Sequence, residues 1–261
     1  MRSDSSPSTA AETVWRRGER AAVAQSLPDL PASGDAGRSV PLPAVTRMPV
    51  YLAAVESLLA EGISTVSSEA LAAACGVGAS IVRRDLTHAA PVGRRGVGYD
   101  TAELAAAIRA FLRVDRARPL GIVGAGRLGT ALAHYLSDPR HGFEIRAVFD
   151  ADPDRVGQPV GSLTVSAESD FREIARARGL ELLVVAVPGS AAQGVTDMVA
   201  GTSVTGLLNF APVPVRAPAG VSVRNVDLAT ELQVLSHFAP ASGGADGEAA
   251  DPLPANTKTG V

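Results

Sequence analysis

Two spacings of apolar residues divide the chain. In the first, apolar residues recur every three or four positions. Leu52, Val55, Leu58 and Leu59 follow Pro49 and stop at Gly62, which predicts a helix with Pro49 in its first turn. A second helix, from Glu69 to Cys75 and capped by Ser67 or Ser68, breaks at Gly76, and a third runs from about Ser80 to Thr87. In that third helix Val82 and Leu86 share one face and leave Ser80, Arg83 and Arg84 on the other. Val92 to Tyr99 alternates glycine with basic and apolar residues, the pattern of a β-hairpin with Arg94 and Arg95 at its tip. Asp100, with Glu103 in capping-box position, then opens a helix that runs to about Arg113.

From Leu120 the apolar residues gather in short runs. Leu120 to Val123, Phe143 to Phe149, Leu180 to Val187 and Val204 to Leu208 have the composition of buried parallel strands. Val156 to Val160 is strand-like, and Val221 to Val226 alternates like an edge strand. Helical stretches lie between them: Arg127 to about Ser137, Phe171 to Arg178, and Ala191 to Ala200 with Ser190 as cap. Strands interleaved with helices predict an α/β domain with a doubly wound parallel sheet. Leu228, Leu232, Leu235 and Phe238 lie along one side of a last helix capped by Asp227, a face suited to its own sheet or to a partner subunit. The expected organisation is an arm over 1–38, a helical module over 39–117, the α/β domain over 118–226, the helix over 227–238 and a tail over 239–261. Both ends are rich in small and polar residues and read as disordered.

Charge sharpens this division. Residues 38–118 carry 10 Arg against 7 acids, whereas 119–238 carry 9 Arg against 12 acids, so the net charge of −3 hides a basic module joined to an acidic one. Basic charge is the footprint of phosphate binding. Two helices joined at a glycine, followed by a basic hairpin, predict a winged helix-turn-helix. Its third helix presents Arg83 and Arg84 to base edges and phosphates, and its wing presents Arg94 and Arg95 to a minor groove. A helical bundle with solvated arginines is the bland alternative. No apolar run approaches the ~18 residues of a membrane span, the amino terminus lacks a signal-peptide core, and the single cysteine suits a reducing cytoplasm. Cys75 reads as packing, and the four histidines show no ligand spacing, so no metal is expected.

The densest chemistry is Gly124-Ala125-Gly126-Arg127-Leu128-Gly129, placed between a strand and a helix. Gly124 allows the sharp turn, Gly126 lets the backbone approach a pyrophosphate, and Gly129 lets helix and sheet pack closely. The next strand ends in Asp150, 21 residues after Gly129, where an acid accepts both ribose hydroxyls and repels a 2′-phosphate, so NAD(H) is favoured over NADP(H). Val187, Pro188, Asn209 and Phe210 follow strand ends and are expected to line the nicotinamide side.

The order of these parts resembles the Rex family of redox-sensing bacterial repressors over about Pro41 to Phe238. Segments carrying the likeness include Arg47-Met48-Pro49-Val50-Tyr51, Val66-Ser67-Ser68, Arg83-Arg84-Asp85-Leu86, Arg95-Gly96-Val97-Gly98-Tyr99, the glycine loop, Phe149-Asp150, Asn209-Phe210-Ala211-Pro212 and Val226-Asp227-Leu228. The resemblance implies a homodimer with exchanged terminal helices that holds a palindromic operator when free or loaded with NAD+ and is released by NADH. It also implies that Arg47, Tyr135 and Asp227 take part in switching. On helix position alone Tyr135 is equally a core aromatic. The chain departs from the family pattern at Ala44, Ile81-Val82 and Thr87-His88-Ala89-Ala90, all in the DNA-binding half, which points to an altered operator preference. The rival function is an NAD-dependent oxidoreductase. It needs a substrate domain and a general acid, and no residue presents itself for that work. The expectation is therefore a regulator and not an enzyme.

Overall fold

The computed structural model describes residues 40–89 and 93–238; the expected arm, the expected tail and Val92 at the hairpin base lie outside them. The first part of the fold comprises α1 (Leu42–Ala60), β1 (Thr65–Val66), α2 (Ser68–Cys75), α3 (Ala79–Leu86), β2 (Tyr99–Asp100) and α4 (Thr101–Phe111). Helix α1 starts two turns earlier than the sequence suggests, so Pro49 sits inside the helix and Pro43 takes the first turn. An interior proline removes one backbone bond and costs about 3 kcal/mol. The apolar stripe offsets that cost, because it continues upstream through Met48 and Ala44, both buried, in line with Tyr51 and Val55.

Met48, Tyr51, Val55, Leu71, Val82, Leu86, Leu104 and Ile108 close this core from all four helices. Burying each large apolar side chain contributes roughly 1.5–3 kcal/mol. Ser67 settles the start of α2: its hydroxyl accepts the Ala70 N–H at 3.1 Å. Gly76, in the left-handed region at φ 68°, makes the turn into α3. The wing is shorter than the expected hairpin. Arg94 and Gly98 exchange backbone bonds of 2.8 and 2.9 Å, after which β2 pairs antiparallel with β1 at the entrance to α2.

The second part runs β3 (Arg118–Val123), α5 (Arg127–Leu136), β4 (Phe143–Asp150), β5 (Pro159–Val160), β6 (Leu163–Ala167), α6 (Phe171–Ala177), β7 (Leu182–Val185), α7 (Gly189–Met198), β8 (Gly206–Asn209) and β9 (Ser222–Asn225). The seven strands lie in the order β5-β6-β4-β3-β7-β8-β9, all parallel except β5, with β9 at the edge. The chain winds outward from β3 first through β4 and β6, then back across through β7, β8 and β9. The reversal leaves a crevice beyond the carboxyl ends of β3 and β7, where such sheets bind ligands. Strand β6 was not visible in the sequence, because Leu163-Thr164-Val165-Ser166-Ala167 has only two large apolar residues. Helix α7 begins at Gly189 after Pro188, so Ser190 lies within its first turn and is not its cap. Helix α8 (Leu228–Phe238) belongs to a separate compact unit that begins at Leu228. Among the described residues no helix is long and apolar enough to cross a membrane.

Candidate functional site

The loop between β3 and α5 assigns different work to its three glycines. Gly124 has φ 102°, and a Cβ there would lie 2.3 Å from the Ala186 carbonyl oxygen. A Cβ on Gly129 would lie 1.8 Å from the Gly124 carbonyl oxygen, so both residues must be glycine for the fold itself. Gly126 differs. Its φ of −71° suits any residue, and a Cβ would meet only the Arg155 guanidinium, at 3.5 Å. The fold does not require glycine at 126, but a phosphate approaching the first turn of α5 does. Ala125, Gly126, Arg127, Thr130 and Arg155 line a surface cavity there, and Leu128 is exposed beside it. The residues present therefore fit the pyrophosphate of a dinucleotide.

Asp150 ends β4 beside this loop with only 7% of its surface exposed. Its Oδ2 accepts the Ala125 N–H at 2.7 Å and Arg155 Nη1 at 3.1 Å, and its Oδ1 accepts the Asp152 N–H at 2.9 Å. Burial alone would raise this carboxyl. The backbone donors of Asp152 and Ala125, with the Arg155 guanidinium, outweigh burial and hold it below the usual carboxylate range. The acid is therefore ionised and turned toward the loop.

Across the crevice, Val187 is half-buried, Pro188 exposed, and Phe210 half-buried against the apolar side chains beneath. Asn209, expected on the nicotinamide side, points inward. It is fully buried, it donates to the Val213 carbonyl at 2.8 Å and to Asn225 Oδ1 at 2.9 Å, and it accepts the Ala211 N–H at 3.0 Å. With those groups occupied it braces the loop after β8 and carries Phe210 on its backbone.

On the DNA-facing side, Ser80, Arg83 and Arg84 of α3 are exposed, as are Arg94 and Arg95 in the wing. Arg83 is engaged: its Nη1 donates to Glu69 Oε1 at 2.8 Å and to Ser68 Oγ at 3.0 Å. Arg84 forms no ion pair among the described residues, which leaves it the freer of the two. The buried side of α3 holds a surprise, because Asp85 lies between Val82 and Leu86 and is 3% exposed. Arg47 grips it with Nε at 2.6 Å and Nη2 at 2.9 Å, and the enclosed Tyr51 hydroxyl donates to it at 2.8 Å. The bond to Asp85 raises the Arg47 guanidinium pKa, and burial followed by that same carboxylate pushes the Tyr51 phenol well up. Arg47, expected as a switch residue, is thus tied to the basic helix. The signal was legible: an acid at i+3 on an apolar face demands a buried partner.

Tyr135 is 64% exposed on α5, its ring tilted against His141 at 4.4 Å, so it is not a core aromatic. Asp227 immediately precedes α8, whose Leu228, Leu232 and Leu235 are exposed. Cys75 is largely enclosed, and burial pushes its thiol up to about 11. Among the described residues no group of His, Cys, Asp or Glu could hold a metal ion. A second surface cavity, at the opposite end of β4, contains Arg146, Arg176 and Arg178, which are bonded to Glu144 or to backbone carbonyls.

Comparison with known proteins matches both halves. Residues 39–87 fit the family model described as putative DNA-binding protein N-terminus, and residues 115–213 fit the CoA binding domain. The redox-sensing transcriptional repressor Rex of Streptomyces avermitilis is 40% identical over 218 residues, covering 84% of this chain and 86% of that protein. The protein of the same name from Streptomyces coelicolor is 42% identical over 76% of this chain and 77% of its own length. Rex 1 of Thermotoga maritima is 38% identical over 76% and 94%. Among solved structures, RSP, a Rex-family repressor, superposes with a TM-score of 0.69 at 27% identity, covering 77% of this chain and 94% of that one. Its complex with β-NAD+ and operator DNA gives 0.72 at 28% identity, covering 77% and 93%, and its complex with β-NADH gives 0.68 at 27% identity, covering 77% and 95%.

Proposed function

The chain belongs to the Rex family of redox-sensing transcriptional repressors, and we propose that it binds palindromic operator DNA as a homodimer and leaves it when NADH enters the α/β domain. One observation carries this: an exposed basic helix and wing share a chain with a glycine loop whose position 126 is open for a phosphate. The chain is a DNA-binding regulator that responds to NAD(H), and not an enzyme. It works in the cytoplasm, where both ligands are found.

Helix α3 enters the major groove with Ser80, Arg83 and Arg84, and Arg94 and Arg95 of the wing reach the adjoining minor groove. Gly126 and the amino end of α5 receive the pyrophosphate, and Asp150 accepts the ribose hydroxyls. Reduction removes the positive charge of the nicotinamide ring, and that is the difference to be sensed. Val187, Pro188 and Phe210 offer it an apolar edge that favours the neutral form. The exposed leucines of α8 form the kind of apolar face that a second subunit covers, which supports the dimer and the exchange of helices. In a dimer the two α3 helices must match half-sites one helical repeat apart, so a small rotation disengages both. Asp227 exchanges Arg47 for Tyr135 as the switch turns. Because Arg47 also holds Asp85, that exchange acts directly on the tether of α3.

Gel-shift titration with operator DNA, run separately with NADH and NAD+, tests the function. NADH should weaken binding and NAD+ should not; a tenfold change corresponds to ~1.4 kcal/mol of coupling. Asp227→Ala should keep NADH binding yet lower the ratio of operator affinities without and with NADH, and Tyr135→Phe should do so more mildly. Equal DNA affinity under both cofactors would refute the sensor. An unchanged ratio in Asp227→Ala would leave Asp227 a helix cap.

A further inference from the structure

Arg155 lies in the turn after β4, five residues beyond the ribose acid. Its Nη1 is 3.1 Å from Asp150 Oδ2 and its Nε is 3.5 Å from Asp152 Oδ2. The same Nη1 is the atom that a Cβ on Gly126 would meet. The guanidinium therefore spans the ribose acid and the glycine turn, between the groups proposed above to take the ribose and the pyrophosphate. Its side chain is 48% exposed, and two carboxylates rather than packing hold it.

We propose that Arg155 sets the phosphate specificity of the adenosine ribose. Restrained by Asp150, it leaves the subsite selective for a plain ribose, and released from Asp150 it becomes the receptor for a ribose 2′-phosphate. This rests on the cofactor site proposed above. Two carboxylates against one guanidinium leave the cluster net negative, which repels a dianionic phosphate. Asp150 also engages Nη1, one of the nitrogens that would grip such a phosphate. Guanidinium geometry matches phosphate oxygens in pairs, and an arginine beside the ribose is a known way to accommodate the 2′-phosphate of NADP. Asp150 thus excludes the phosphate twice, once by its own charge and once by sequestering the cation. Neutralising it should do more than relax the preference: it should reverse it.

The test is equilibrium titration of NADH and NADPH, followed by nicotinamide fluorescence, on the full chain. The proteins are the wild type, Asp150→Asn, Arg155→Ala and the double variant. The wild type should favour NADH, and Asp150→Asn should favour NADPH. The double variant should bind NADPH about tenfold more weakly than Asp150→Asn. The gain in Asp150→Asn should fade with salt, as an exposed phosphate–arginine contact must. Arg155→Ala alone, which leaves Asp150 its two backbone donors, should widen the NADH preference, and it decides the matter if Asp150→Asn does not fold. Equal NADPH affinity in Asp150→Asn and the double variant, or an unchanged NADPH-to-NADH ratio in Arg155→Ala, overturns the proposal while the NADH site stands. A wild type that binds neither dinucleotide removes the site and the proposal together.

Discussion

Replacing Asp85 with alanine removes a carboxylate enclosed in the DNA-binding core, and the structure sets the size of the effect. Three hydrogen bonds vanish, two from Arg47 and one from Tyr51. The Tyr51 hydroxyl has no route to water, and a buried donor left unsatisfied costs about 1–3 kcal/mol. The Arg47 side chain keeps 22% exposure and can recover some hydration, so the broken pair should fall near the lower end of the usual ~3–5 kcal/mol. A loss of about 3 kcal/mol against a total of about 5–15 leaves the chain folded but much less stable. Tyr51→Phe removes a single donor and should cost about 1 kcal/mol. Urea unfolding of Asp85→Ala, Arg47→Ala and the double variant measures the coupling. The double should be less damaged than the sum, by at least about 1 kcal/mol, because no charge is then left stranded. Operator affinity should fall in Asp85→Ala while NADH titrates normally. Additive effects in the cycle, or an Asp85→Ala cost below about 0.5 kcal/mol, would refute the idea that this ion pair holds α3.

Other expectations follow from neighbouring geometry. Arg84→Ala should weaken operator binding by roughly 1–3 kcal/mol, and Arg83→Ala by less because Arg83 must first leave Glu69; losing Arg94 and Arg95 should mainly flatten the salt dependence of a gel shift. Gly126→Ala should leave thermal stability within about 0.5 kcal/mol of wild type yet abolish tight NADH binding, whereas Gly129→Ala should destabilise the fold outright. Asp150 has a depressed carboxyl in the folded state, so its stabilisation is present above the ordinary carboxylate range and is lost as pH falls through the folded value; urea midpoints taken from about pH 6 down to about pH 3 should drop less steeply in Asp150→Asn. Cys75, with its thiol near 11, should resist iodoacetamide at neutral pH and react faster as pH rises, and Cys75→Ala should keep the NADH response.

Much of this molecule was legible in one dimension, because the signals were local. A 3.6-residue spacing of apolar residues marks α2, α3 and α4, short apolar-rich runs mark β3, β4, β7 and β8, and a strand, glycine turn and helix with an acid 21 residues on mark a dinucleotide site. The family resemblance added the redox switch and its residues, which no spacing can supply. What the sequence could not decide depended on which distant groups meet. Helix α1 passes through Pro49 because burial of Ala44 and Met48 outweighs the lost backbone bond, a balance that local propensity does not contain. Asn209 turned inward because the loop after β8 needed its amide, although its place at a strand end suited a ligand contact equally well. Asp85 on its apolar face called for a buried partner, but Arg47 is 38 residues away, and only the tertiary fold picks it out. The three glycines of the loop are identical letters in the sequence. The neighbouring backbone alone distinguishes Gly124 and Gly129, which the fold requires, from Gly126, which it leaves open for a phosphate.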